Sequence, residues 1–122
     1  MDLRTAKRLH DALIAATRIR RFIDGRTFED YVVDDYFRSA VERQFEILSE
    51  ASNAAESQKP DLRERFPEIP AIVGMRNRIA HSYDRLSLRN VWDAAVVSVP
   101  PLLPRLEAEL GAIDLSDDFY HE

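Results

Sequence analysis

An all-α fold is the expectation for this chain of 122 residues, and three observations carry it. Glycine occurs only three times, while Ala, Leu, Glu and Arg, all strong helix formers, fill long segments. Apolar residues recur at helical spacing in successive stretches. Residues that start and stop helices stand between those stretches. The pattern predicts an antiparallel bundle of four main helices with one additional short helix. It forms a single domain over residues 1–111, followed by an acidic, loosely ordered tail over 112–122.

The first helix is expected from about Asp2 to Asp24, with Leu9, Leu13, Ala16 and Ile23 at core spacing. Arg18, Arg20 and Arg21 lie in its last turns, where cations complement the helix dipole; an RNA contact is the other reading of these charges. Gly25 ends the helix. Thr27 starts the next, with Asp30 completing a capping box, and this helix is expected to reach about Glu56. Val33, Phe37, Val41, Phe45 and Leu48 form its apolar stripe, widened by Tyr36, Ala40 and Ile47. A stripe that broad needs neighbours on more than one side. Glu46 and Glu50 share one face as surface charges, or Glu46 pairs with an arginine of the helix that follows Pro70.

Pro60 closes that helix, and Asp61 to Phe66 make one short turn. Pro67 and Pro70 set the start of the third main helix, which is expected to run through Leu86 with Ile72, Met75, Ile79 and Leu86 on the core. Ser87 is the expected N-cap of the last helix, with Val91, Trp92, Ala95, Val96 and Val99 suited to burial. Pro100, Pro101 and Pro104 predict a kink or break there. Leu102, Leu103, Leu106 and Leu110 continue the apolar face to a C-cap at Gly111.

Composition narrows the function classes. Hydrophobic content of 45% and charged content of 32% are those of a soluble globular protein. The lack of cysteine excludes disulfides and Cys-based metal sites and suits a reducing cytoplasm. No run approaches the roughly 20 apolar residues of a membrane span. A net charge of −5 is unusual for a nucleic-acid binder, and no DNA target is expected. The cluster Arg76, Arg78, Arg85 and Arg89 nonetheless concentrates positive charge, and Arg78 and Arg85 are candidate substrate-binding residues. His10 and His121 have no partners at metal-ligand spacing and read as surface residues.

The segment Gly74 to Leu86 concentrates the chemistry, in the order Arg76-x-x-x-x-His81-x-Tyr83. On a helix, Asn77 and His81 are neighbours, and Arg76 and Tyr83 lie nearly above one another. Arg76 and His81 are separated by about 140° around the axis. To act on one group they need a bend at His81 or a second copy of the helix from a partner subunit. A neutral histidine moves protons near pH 7, and an arginine fork grips a phosphate. Together they can cleave RNA without a metal. His81 acts on the ribose 2′-OH or the leaving oxygen, Arg76 stabilises charge on the phosphate, and Asn77 orients either. By spacing alone, the same side chains also read as ordinary surface or interface residues.

These residues resemble the signature of the HEPN superfamily, and specifically the HepT-like toxins, whose pattern is Arg-x-x-x-x-His-x-Tyr. The likeness extends to Asp11–Phe22, Ala40–Ala51, Phe66-Pro67-Glu68-Ile69-Pro70, and Val91-Trp92 with the late prolines. Ser49 stands where the family often has Gly, and Ala71 where an aromatic commonly follows Ile-Pro; both are packing differences that leave the motif intact. The resemblance implies a small all-helical, two-fold homodimer with a composite site at the dimer cleft. It implies an RNase toxin, needing no cofactor, paired with a minimal nucleotidyltransferase antitoxin that AMPylates the motif tyrosine, here Tyr83. Two other readings stay open: a non-catalytic accessory subunit presenting substrate to a nucleotidyltransferase, and a purely structural dimerisation domain.

Overall fold

A computed structural model of the chain describes residues 2–80 and 84–111. The elements are α1 (Leu3–Ile23), α2 (Phe28–Val33), α3 (Asp35–Gln58), α4 (Leu62–Arg65), α5 (Ile69–Ala80), α6 (Arg85–Asp93), a π-helical turn (Ala94–Ser98) and α7 (Val99–Leu110). No strand occurs among the described residues. The expected tail over 112–122 lies outside them.

Local chemistry accounts for most of the boundaries. Asp2 caps α1 by accepting the Thr5 N–H at 2.7 Å. Gly25, with φ at 71°, turns the chain after α1. Thr27 and Asp30 form the full capping box of α2: the Asp30 N–H donates to Thr27 Oγ1, and the Thr27 N–H donates to Asp30 Oδ2. The long helix expected from Thr27 to Glu56 is broken at Asp34. That residue is extended, with φ −102° and ψ 101°, and its carboxylate accepts the Phe37 N–H at 3.0 Å. The break leaves Val33 and Tyr36 exposed (73% and 92%), outside the apolar stripe expected to include them.

α3 is the central element, packed against α1, α5 and α2. Its inward face carries Val41, Phe45 and Leu48, all at 0% exposure. Small residues, Ala12, Ala15 and Ala16 on α1 and Ala51 and Ala55 on α3, are buried as well. Near the start of α1, Thr5 Oγ1 donates to Gln58 Oε1 at the end of α3, so the two helices run antiparallel. Tyr31, Phe37 and Trp92 join α2, α3 and α6 through ring contacts of 5.6–6.2 Å. Trp92 is thus a core anchor. Burial, with the Glu42 carboxylate nearby, pushes the Tyr31 phenol above its ordinary range.

α7 closes over α1, burying Leu102, Leu103, Leu106 and Leu110. The three prolines do not break it. The π-helical turn precedes them, with the Val99 N–H donating to Ala94 O. Pro100 and Pro101 then fall in the first turn of α7, next to the π-helical turn, and only Pro104 lies farther inside the helix. Gly111 is the C-cap, in right-handed conformation. Arg105 pairs with Glu68, and Arg65 with Glu109 at 2.5 Å. These pairs tie α7 to the segment that leads into α5.

Candidate functional site

α5 carries the first half of the motif. Ile69 and Ile72 are buried at 2% and 0% exposure and Met75 at 7%, which anchors the helix on α3. Ser49, itself buried, donates from Oγ to the Ile72 carbonyl at 2.7 Å. In an α-helix that carbonyl is also the acceptor for the Arg76 N–H. The Ser49 hydroxyl therefore braces the turn bearing Arg76. Ala71 is exposed.

With this face anchored, Arg76, Asn77 and Arg78 are all exposed. Arg76 Nη2 faces Glu50 Oε1 of α3 at 3.8 Å. Glu46 instead pairs with Arg43 of its own helix at 3.2 Å, so the α3 carboxylate that meets the motif arginine is Glu50. Both partners of the Arg76–Glu50 pair are more than half exposed. A pair of that kind is worth about 0–1 kcal/mol, so Glu50 holds the Arg76 guanidinium only weakly. Arg78 has no ion-pair partner among the described residues.

His81 and Tyr83 lie outside the described residues. Beyond them, Asp84 is extended, with φ −121° and ψ 165°, and its side chain accepts the Ser87 N–H at 2.8 Å. Asp84, not Ser87, is therefore the N-cap of the last helical segment. A single helix through Leu86 is excluded, because an extended cap interrupts it. Leu86 is 71% exposed and does not extend the core stripe of α5. Arg85 pairs with Glu29 of α2, and Arg89 pairs with Asp93 at 3.1 Å. Both guanidinium groups stack over Phe28, at 5.0 and 4.7 Å from the ring centre. The predicted arginine cluster is thus split. Arg76 and Arg78 are on α5, and Arg85 and Arg89 are flattened on Phe28 with carboxylate partners.

His10 is half-buried on α1, and burial lowers its pKa. Among the described residues no three His, Cys, Asp or Glu side chains converge as a metal-ligand group. None of the described helices is long and apolar enough to cross a membrane.

Residue reasoning misses Glu50 as the partner of Arg76. Its signal is the order Ser49-Glu50-Ala51, a solvent-facing carboxylate between two buried small residues.

An all-helical chain that presents Arg76 at its surface, as the first residue of an Arg-x-x-x-x-His-x-Tyr sequence, has the form of a HEPN-type protein. The family model described as "Ribonuclease HepT-like" matches residues 12–109, and the chain belongs to that family. Among its relatives, "Putative RNase MJ1216" of Methanocaldococcus jannaschii is 27% identical over 112 residues, covering 90% of each chain. "Putative RNase MJ1380" of the same organism is 30% identical over 81% of this chain and 90% of its own. "Probable ribonuclease HepT" of Thermococcus cleftensis is 31% identical over 81% of this chain and 89% of its own. No solved structure matches.

Proposed function

We propose that this chain is a metal-independent endoribonuclease, the toxin of a pair whose antitoxin is a minimal nucleotidyltransferase. The observation that carries the reading is Arg76. It stands exposed on a braced helix, inside an Arg-x-x-x-x-His-x-Tyr frame and within the segment matched by the ribonuclease family. His81 takes the proton from a ribose 2′-OH or supplies one to the departing 5′-oxygen. Attack by the 2′-oxygen on the adjacent phosphorus breaks the P–O5′ bond and leaves a 2′,3′-cyclic phosphate and a 5′-hydroxyl. Arg76 stabilises the charge that builds on the phosphate, and Asn77 orients the histidine or the phosphate. Arg78 holds a neighbouring phosphate of the RNA, and Arg85 holds a more distant one by exchanging its exposed partner Glu29 for it.

The chain works as one domain over 1–111 in an antiparallel bundle, and as a two-fold homodimer in the cytoplasm. The α5 segments face each other across the axis, so that one protomer's Arg76 acts with its partner's histidine. The nucleotidyltransferase transfers AMP from ATP to the Tyr83 hydroxyl, with release of pyrophosphate and the phenolic proton, and the bulky anion added to the motif blocks the cleft. The test is RNA cleavage with EDTA present. The wild-type chain cuts and His81→Ala does not; cleavage that survives His81→Ala refutes the mechanism. The cognate nucleotidyltransferase with ATP adds the mass of one AMP to the Tyr83 peptide; no mass gain removes the modification.

A further inference from the structure

α1 and α3 enclose a hollow of about 270 Å³. Ile14 of α1 and Ile47 of α3, both half-buried, give it an apolar floor, and Arg8, Asp11, Arg18 and Glu50 stand around it. The charges are not balanced. Asp11 already holds Lys7 at 3.3 Å, and Glu50 already faces Arg76. Arg8 and Arg18 are exposed and have no ion-pair partner among the described residues. The uncompensated charge of the hollow is therefore positive, although the chain as a whole carries −5. Arg8 and Arg18 are separated by about 15 Å along α1, farther than one nucleotide step of a single strand. Through Glu50, the α3 wall of the hollow leads directly to the motif arginine.

We propose that this hollow binds single-stranded RNA beside the bond that is cut. Arg8 and Arg18 contact backbone phosphates, and one base lies on the Ile14–Ile47 floor. The proposal rests on the ribonuclease reading and extends it, since it assigns a substrate track on α1 and α3, away from the motif helix. An apolar floor between cations suits a strand without fixed sequence, because every base has an apolar face and every linkage a charge. Displacement of Glu50 from Arg76 by the incoming strand joins the track to the site.

The test uses the full chain carrying His81→Ala, so that the strand stays intact. Fluorescence anisotropy of a labelled, mixed-sequence single-stranded RNA is followed at several salt concentrations. Arg8→Ala with Arg18→Ala weakens binding about tenfold or more and reduces the salt slope by roughly 1.4, at about 0.7 for each phosphate no longer neutralised. Arg8→Lys with Arg18→Lys retains most of the affinity, because the charge stays. Arg63→Ala with Arg65→Ala, which removes equal charge on α4, outside the hollow, leaves binding near the parent value. Cleavage is measured in parallel on the same arginine variants with His81 intact. Unchanged affinity and slope in the double alanine variant overturn the track, while cleavage by the wild type keeps the ribonuclease reading. A wild-type chain that neither binds nor cuts RNA overturns both. Unchanged RNA affinity with lost binding of the cognate nucleotidyltransferase overturns the RNA track and makes the hollow a protein interface.

Discussion

Ser49→Ala tests how the motif helix is held. The Ser49 hydroxyl is buried at 1% residue exposure and donates to the Ile72 carbonyl at 2.7 Å. A neutral buried hydrogen bond contributes about 0.5–1.5 kcal/mol net. The larger cost of an orphaned acceptor does not arise, because the Ile72 carbonyl keeps its helical bond to the Arg76 N–H. Alanine recovers a few tenths of a kcal/mol through better helix propensity. The expected loss is therefore about 1 kcal/mol, which lowers the Tm by roughly 3–6 °C for a chain of this size. Ser49→Gly adds about 1 kcal/mol of backbone entropy in mid-helix and falls further. Thermal unfolding followed by circular dichroism, with urea titration as the equilibrium check, measures both. An unchanged or raised Tm for Ser49→Ala refutes the brace.

Phe45→Ala, at a fully buried position, costs about 3–5 kcal/mol; urea unfolding shows a midpoint far below the wild type or a chain already unfolded in buffer. Thr27→Ala removes half of the α2 capping box and costs about 1 kcal/mol, read as a lower Tm, with faster amide exchange over Phe28–Val33. The Asp34 carboxyl sits below its ordinary pKa because it accepts the Phe37 N–H, with help from Arg26. Its contribution is complete above the unfolded value of about 4 and is lost as pH falls through the folded value; Asp34→Asn flattens that part of the acid-stability curve. Burial lowers the His10 pKa, so protonation favours the unfolded chain. Stability from this group is full above about pH 6.5 and declines below it, and His10→Gln removes that slope in unfolding measured from pH 7.5 to 5.

The helical class, the turn at Gly25, the Thr27–Asp30 box, the burial of Trp92 and the Arg76–Tyr83 motif are all legible in the sequence. Each depends on residues within a few positions of one another, or on a periodicity that a single helix displays. The break at Asp34 has a local signal too, since an aspartate three residues before Phe37 is a good N-cap. The apolar spacing from Val33 to Phe45 continues across it and hides that signal. The same continuity of apolar spacing extends the expected third helix to Leu86, past an Asp84 that caps the next segment. Tertiary structure alone decides that Glu50 meets Arg76 while Glu46 meets Arg43. The two glutamates are one helical turn apart, and only the seating of α5 on α3 distinguishes them. It alone places Arg85 and Arg89 on Phe28, and brings Arg8 and Arg18 to a hollow whose other wall is α3. Caps and stripes are properties of one helix and are written along the chain. Cross-helix pairs depend on the rotation and height of one helix against another, which the packing of Phe45, Ile72 and the small residues of α1 sets, and which no local spacing encodes.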